Sequence, residues 1–348
     1  MKKKLLSMIM AAVMVSTFVA GCGKSTTSDK DTSAVSTEAS QTVETQALPT
    51  QDRAGNDIVL PEEVNAIVSM APSITRTLID LGLSDKIVAC DTNSAASYGS
   101  ELAADIPQFD MMTPDQEQII ALNADLVLTS GMSAAHGDDV FAAVKESGVC
   151  VCDFPSSSSL AEIQEDIKFI GTITGLSDEA NAIADQMQAS MDELSAIAAT
   201  IPEEEKKTVL FELFTPSADT PTIYTCGANT YITEMIELIG AVNVAGEEAD
   251  QWPALTEEAA VAMNPDVILT ADMYTPDVIN VLLTMSGWEN VTAIKNSAVY
   301  QLNSDEVNQP NQHVISAMIA MAKAIYPDYY KDVVDPFSAE EAEEKEAA

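Results

Sequence analysis

Glu117-Gln-Ile-Ile-Ala121-Leu-Asn123-Ala-Asp125-Leu-Val-Leu128-Thr129 reads as a helix that runs out at an Asn-X-Asp turn and gives way to a short apolar strand. The same grammar returns at Glu258-Ala-Ala-Val-Ala262-Met-Asn264-Pro-Asp266-Val-Ile-Leu269-Thr270. A looser pair, Ile79-Asp80-Leu81-Gly82 and Ile236-Glu237-Leu238-Ile239-Gly240, precedes the two copies in the same order. Repeats that keep their order along a chain predict two similar lobes.

Around these stretches, apolar runs at residues 66–70, 86–90, 126–129, 149–152, 208–211, 267–270 and 299–302 alternate with amphipathic helical segments. Short buried strands interleaved with helices predict an α/β fold with central sheets of the parallel type. Pro72-Ser73 opens the first helix, which carries Leu78, Ile79 and Leu81 and ends at Gly82. A long helix is expected over 177–201. Ser177 would cap it, Asp178 and Glu179 would meet the positive end of its dipole, and Pro202 would stop it. Ala180, Ile183, Met187, Met191, Leu194 and Ile197 give this helix one apolar stripe. It joins an N-terminal lobe, 47–176, to a C-terminal lobe, 202–335, and as a single stiff rod it permits rocking rather than a wide swing. The ligand cleft is expected between the lobes.

The ends carry no such pattern. Lys2, Lys3 and Lys4 precede an apolar run over 5–20, as in a secretory signal, which would occupy 1–21. Phe18-Val19-Ala20-Gly21-Cys22 resembles the bacterial lipoprotein box, in which the Cys22 thiol would take a diacylglycerol and become the first mature residue. Residues 22–46 are Ser, Thr, Asp, Glu, Gln and Ala with little to bury, and read as a flexible tether. Residues 336–348 form an acidic tail.

Composition narrows the function. At 47% hydrophobic the chain can build real cores, which excludes disorder throughout. Sixteen Lys and Arg against 55 Asp and Glu leave a net charge of −39, which repels phosphate backbones and argues against nucleic acid. The same field suits a partner with a basic docking surface. Five Cys and two His are too few for zinc-finger arrays or disulfide scaffolds. The chain holds no G-x-S-x-G, H-E-x-x-H or phosphate-binding loop, and two His leave little room for general-base chemistry, which argues against an α/β hydrolase or chelatase; in a scaffold or adhesin the expected cleft would be superfluous. Neither a catalytic residue nor a cofactor is expected.

Together with Trp252-Pro253, Gly287-Trp288, Ala293-Ile294-Lys295-Asn296 and Val299-Tyr300, these motifs resemble the extracytoplasmic solute-binding lipoproteins of ABC importers for metal chelates. The likeness spans residues 48–330. It implies capture of a ferric siderophore, cobalamin or haem, and delivery to a permease dimer and its ATPase. It also implies a lipid-anchored place outside the cell membrane, in the manner of Gram-positive lipoproteins. In that family a surface Glu on each lobe pairs with Arg residues of the permease, and the matching positions here are Glu117 and Glu258.

In two-lobed α/β proteins, ligands sit where the loops after the strand ends face each other. Candidate ligand contacts are Pro72, Ser73, Phe109, Met111, Met112, Met132, Phe154, Tyr224, Trp252, Tyr274, Asn308 and Asn311. The resemblance singles out Trp252, since cobalamin-binding members place a Trp before Pro there, although Met111 and Thr92 stand where those members carry aromatics. Of the cations beyond the tether, only Arg76 starts near a cleft loop. Burying a multivalent anion without cations is costly, so the expected guest is bulky and neutral or weakly charged, such as a corrinoid or a neutral hydroxamate chelate. For haem, His136, Met111, Met112 or Met132 would supply an axial ligand. Cys90, Cys150, Cys152 and Cys226 are expected buried and reduced, with a disulfide open as the alternative.

Overall fold

Both copies of the repeated stretch end in a central strand of a parallel sheet, and the two sheets are built alike. The computed structural model describes residues 48–131, 137, 139–217 and 220–338. The leader, Cys22, the tether, Met132, His136 and residues 339–348 lie outside them. The first lobe holds β1 (Ile67–Met70), β2 (Ile87–Asp91), β3 (Gln108–Phe109), β4 (Leu126–Ser130) and β5 (Cys150–Phe154), all parallel in the order β3-β2-β1-β4-β5. The second holds β6 (Thr208–Glu212), β7 (Thr222–Tyr224), β8 (Val242–Asn243), β9 (Ala254–Thr256), β10 (Val267–Thr270) and β11 (Val299–Gln301). There β8-β6-β10-β11 is parallel and repeats the order β2-β1-β4-β5, while β7 and β9 form a separate antiparallel ribbon.

The Asn-X-Asp turn explains why the repeat is written as it is. Asn123 and Asn264 are both left-handed, at φ 51° and 48°, a conformation that Asn tolerates better than most residues. Two residues on, the carboxylate pins the start of the neighbouring strand. Asp125 Oδ2 accepts from the amides of Asn65 (2.8 Å) and Ala66 (2.9 Å), and Asp266 Oδ2 accepts from the amide and hydroxyl of Thr208, both at 3.0 Å.

Several strands reach one or two residues farther than periodicity predicts. The extra rungs, Asp91 against Phe109, Ser130 against Phe154 and Glu212 against Thr270, are made by partners remote in sequence.

The long helix spans Ser177–Ala198, three residues short of the expected end, and Ser177 does not cap it. Gly175, left-handed at φ 78°, ends the preceding helix Leu160–Thr174 so abruptly that Leu176 takes the cap position without a side-chain bond. Ile183 and Ile197 are only partly buried; Ala180, Ala184, Met187, Met191 and Leu194 make the sealed stripe. The helix is also not a bare rod. A Cβ on Gly171 would lie 2.2 Å from Ala180 Cβ, so only glycine lets helix Leu160–Thr174 approach so closely. One apolar core, with Ile67, Leu128, Met187, Met191, Leu194, Phe211, Leu269 and Tyr330, runs through both lobes.

A polar seam adds to it. Asp80 Oδ2 lies 2.8 Å from His313 Nε2, Ser97 donates to Asp305 (3.0 Å), and the Leu160 amide donates to Glu234 (2.7 Å). The lobes are therefore braced as well as joined. No helix of the described residues is long and apolar enough to cross a membrane.

Candidate functional site: a cleft between the lobes

A cleft of about 350 Å³ opens between the two sheets, and both halves of the sequence line it. The first lobe supplies Pro72, Ser73 and Thr77 from helix Pro72–Asp80, then Met111, Ser130 and Phe154 to Ser157. Asp166, Ile167 and Ile170 come from helix Leu160–Thr174. The second lobe supplies Thr230, Tyr231, Gln251, Trp252 and Asn308 to Pro310. These sit beyond the carboxyl ends of the strands, where open α/β sheets bind ligands.

Local structure fixes the main side chains. Pro72 opens its helix directly after β1, so Pro72 and Ser73 meet the cleft at a helix N-terminus. Phe154 ends β5 and packs edge-on against Phe169, centroids 5.6 Å apart. Trp252 is held by a tight backbone crossing. The Gly227 amide donates to the Gln251 carbonyl (2.8 Å), and a Cβ on Gly227 would lie 2.0 Å from the Asp250 carbonyl oxygen. Trp252 stays 45% exposed there. The Tyr231 hydroxyl donates to the Val307 carbonyl at 3.0 Å. Asn308 Nδ2 lies 3.1 Å from Ser304 Oγ, which keeps the amide from rotating freely.

Pro72, Ser73, Met111, Phe154, Trp252 and Asn308 from the sequence-based set are brought together in this wall. The others stand elsewhere. Phe109 points into a satellite core under the first sheet, because β3 pairs with β2 and buries it. Met112 is partly buried off the wall, in a turn closed by Asp110 accepting the Met112 and Thr113 amides. Asn311 is fully buried and its Oδ1 accepts from the His313 amide. Tyr224 ends β7 on an exposed edge, and Tyr274, 74% exposed, stacks on Phe214 at 6.3 Å on a loop outside the lining. Met132 and His136 lie outside the described residues.

Arg76 does not face the cleft either. Asp80 and Glu101 hold its guanidinium, which also lies 5.2 Å from the ring centre of Tyr98. Arg53 lies 2.6 Å from the wall residue Asp166, and sequence reasoning missed it together with Tyr231 and the flank of helix Leu160–Thr174. These residues come from outside the strand-end loops: Asp166 from a helix side, Tyr231 from a helix N-terminus, and Arg53 from an N-terminal turn that touches Asp166 without lining the cleft. The visible signal was Asp166, an acid directly before the apolar Ile167 and Ile170 of an otherwise greasy face.

Glu117 and Glu258 hold equivalent places, each the second residue of its helix, Gln116–Ala121 and Glu257–Met263. Asp115 caps the first by accepting the Gln118 amide (3.0 Å), and Thr256 caps the second by accepting the Ala259 amide (3.2 Å). Both glutamates are exposed and neither joins an ion pair among the described residues.

The thiols of Cys90, Cys150, Cys152 and Cys226 are buried and free. Cys150 and Cys152 share one face of β5 with sulfurs 3.9 Å apart. Burial pushes the Cys90 and Cys226 thiols up to about 11, which makes them poor nucleophiles.

Known proteins resemble this arrangement along most of its length. The uncharacterized ABC transporter substrate-binding lipoprotein YvrC of Bacillus subtilis is 31% identical over 326 residues, 94% of this chain and 97% of that one. A cobalamin-binding protein of Halobacterium salinarum is 27% identical over 287 residues, 79% of this chain and 73% of that one. Among solved structures, a possible iron-binding (periplasmic solute-binding) protein from Staphylococcus epidermidis superposes with a TM-score of 0.65 at 25% identity. It covers 76% of this chain and 100% of that one. Residues 67–306, from the first strand of the first sheet to the helix before the cleft residue Asn308, match the model of the periplasmic binding proteins, and the chain belongs to that family.

Proposed function

We propose that the protein is the capture component of an ABC importer and that its cargo is a bulky, uncharged or weakly charged metal chelate, a corrinoid or a neutral ferric hydroxamate. One observation carries this reading: the cleft wall is built from aromatic, Met, Pro, hydroxyl and amide side chains, and its single charged group among the described residues, Asp166, already has Arg53 as a partner. A highly anionic guest would find no free cation there, whereas a large guest with apolar faces and polar edges would find Trp252, Phe154 and Tyr231 beside Ser130, Gln251 and Asn308. Similarity to a cobalamin-binding protein supports the corrinoid branch. Haem is the second reading, favoured by the Met111 thioether in the wall as an axial ligand.

The remaining roles follow from the ends and the outer faces. Lipid on Cys22 would hold the protein at the outer side of the cell membrane, with 22–46 as its leash. Glu117 and Glu258, one per lobe, would dock the two halves of the permease through rim charge pairs that chiefly speed and orient encounter. The chelate is cargo, so neither cofactor nor turnover is proposed.

The test is a melting panel of the purified protein with cyanocobalamin, a neutral ferric hydroxamate and haemin. Binding to the native state at 100 times Kd raises stability by about 2.7 kcal/mol, so one of the first two probes should raise Tm by several degrees. A protein unmoved by every chelate contradicts the reading.

A further inference from the structure

Resting on the capture reading above, we infer that Asp166 is the specificity-determining residue of the cleft: it turns away anionic chelates by facing the guest itself while keeping the Arg53 guanidinium occupied behind the wall.

Both partners stand on ordered supports. Asp166 projects from the middle of helix Leu160–Thr174, its Oδ1 2.6 Å from Arg53 Nε and its Oδ2 2.9 Å from Ser157 Oγ. Arg53 sits in a turn that Asp52 fixes. Asp52 Oδ1 accepts from the Ala54 (3.0 Å) and Asn56 (2.8 Å) amides, and its Oδ2 accepts from the Asp153 amide (2.9 Å), tying the turn to β5. Asp166 lines the cleft and Arg53 does not. The side chains are only 14% and 26% exposed, so solvent screens the pair weakly. Burial pushes the Asp166 carboxyl up even though Arg53 and Ser157 pull it down, as expected for a carboxylate poorly served by water.

The consequence is a filter by charge. A carboxylate or catecholate brought to this wall meets a like charge, no Lys or Arg is among its described lining residues, and the Arg53 guanidinium behind it is spent. A guest carrying N–H or O–H donors, such as primary carboxamides or hydroxyls, can use the lone pairs that Arg53 and Ser157 leave open, since an ionised carboxyl accepts up to about four bonds. The structure therefore points to an uncharged chelate with a donor-bearing periphery.

Calorimetric titration of the full chain with cyanocobalamin, which is amide-rich, and haemin, which carries two propionates, tests this. The wild type should prefer cyanocobalamin. Asp166→Asn keeps an acceptor toward Ser157 but frees Arg53, and should move the ratio of the two Kd values about tenfold or more toward haemin. Adding Arg53→Gln should take back the part of the shift that the freed guanidinium supplies, leaving the ratio between wild type and Asp166→Asn. Arg53→Gln alone, which leaves Asp166 unpaired, should move the ratio the opposite way and provides a second readout should Asp166→Asn fold poorly. A ratio unchanged in Asp166→Asn, or a shift as large in the double variant as in Asp166→Asn alone, overturns the inference. Wild-type preference for haemin overturns it too while leaving the capture reading standing; a wild type that binds neither probe overturns the inference, and the capture reading falls with it when a neutral ferric hydroxamate fails to bind as well.

Discussion

Glu212 is a carboxylate buried in the second parallel sheet. It ends β6 and pairs with Thr270, at the rung where the first lobe pairs Met70 with Thr129. Met70 is sealed, as that position demands; Glu212 is 2% exposed, and its Oε2 has no hydrogen-bond partner. Burial, with Asp272 adding a like charge, raises the carboxyl from 4.5 to about 7. Because the folded value lies above the unfolded one, the unfolded chain gives up its proton first. Stability therefore falls as pH rises from about 4.5 to about 7, by roughly 3 kcal/mol from this group. Glu212→Gln should remove that slope and leave the variant more stable than wild type at pH 8. Urea unfolding of both proteins at pH 5 and pH 8 checks it, and an equal pH dependence in the two would refute it. In the sequence, Glu212 looks like the polar end of a strand, because burial at that rung comes from partners far along the chain.

Among elements, the helix–turn–strand unit was the most legible, since its cap, left-handed Asn, anchoring Asp and strand are contiguous. The two copies still differ in one respect that only the fold reveals. Asn264 Oδ1 accepts the amide (2.9 Å) and hydroxyl (3.1 Å) of Thr292, whereas among the described residues the Asn123 side chain donates only to its local Ala121 carbonyl (3.1 Å). Asn123→Ala should cost about 1 kcal/mol, the penalty for a left-handed alanine. Asn264→Ala should cost up to about 1 kcal/mol more for the lost tie to Thr292. Denaturant midpoints measure both, and equal losses would count against the assignment. The strands that escaped sequence reading were β3, β8 and the β7–β9 ribbon. Each is two or three residues long and exists only because a distant partner lies alongside.

For the whole molecule, the sequence disclosed two similar lobes, a joining helix and a cleft with Trp252 in its wall. It did not disclose that one core and the Asp80–His313 seam brace the lobes, or that Asp166 and Arg53 stand at the cleft, because those contacts join segments far apart in the chain. Contacts between the lobes favour a constant spacing of Glu117 and Glu258, which the proposed docking on a permease would need. Glu117→Ala with Glu258→Ala should abolish uptake in cells and leave ligand affinity within about twofold of wild type, since rim charges act on encounter with the partner. Undiminished uptake by the double variant would remove both residues from that role.

Trp252 offers the most direct view of the cleft, because the other tryptophan, Trp288, is 2% exposed within the second lobe's satellite core. Fluorescence should be quenched to saturation by one equivalent of cyanocobalamin or of a neutral ferric hydroxamate, and Trp252→Phe should abolish most of that quenching and weaken binding. Absence of saturable quenching by either chelate, or quenching and affinity that survive intact in Trp252→Phe, would contradict the account.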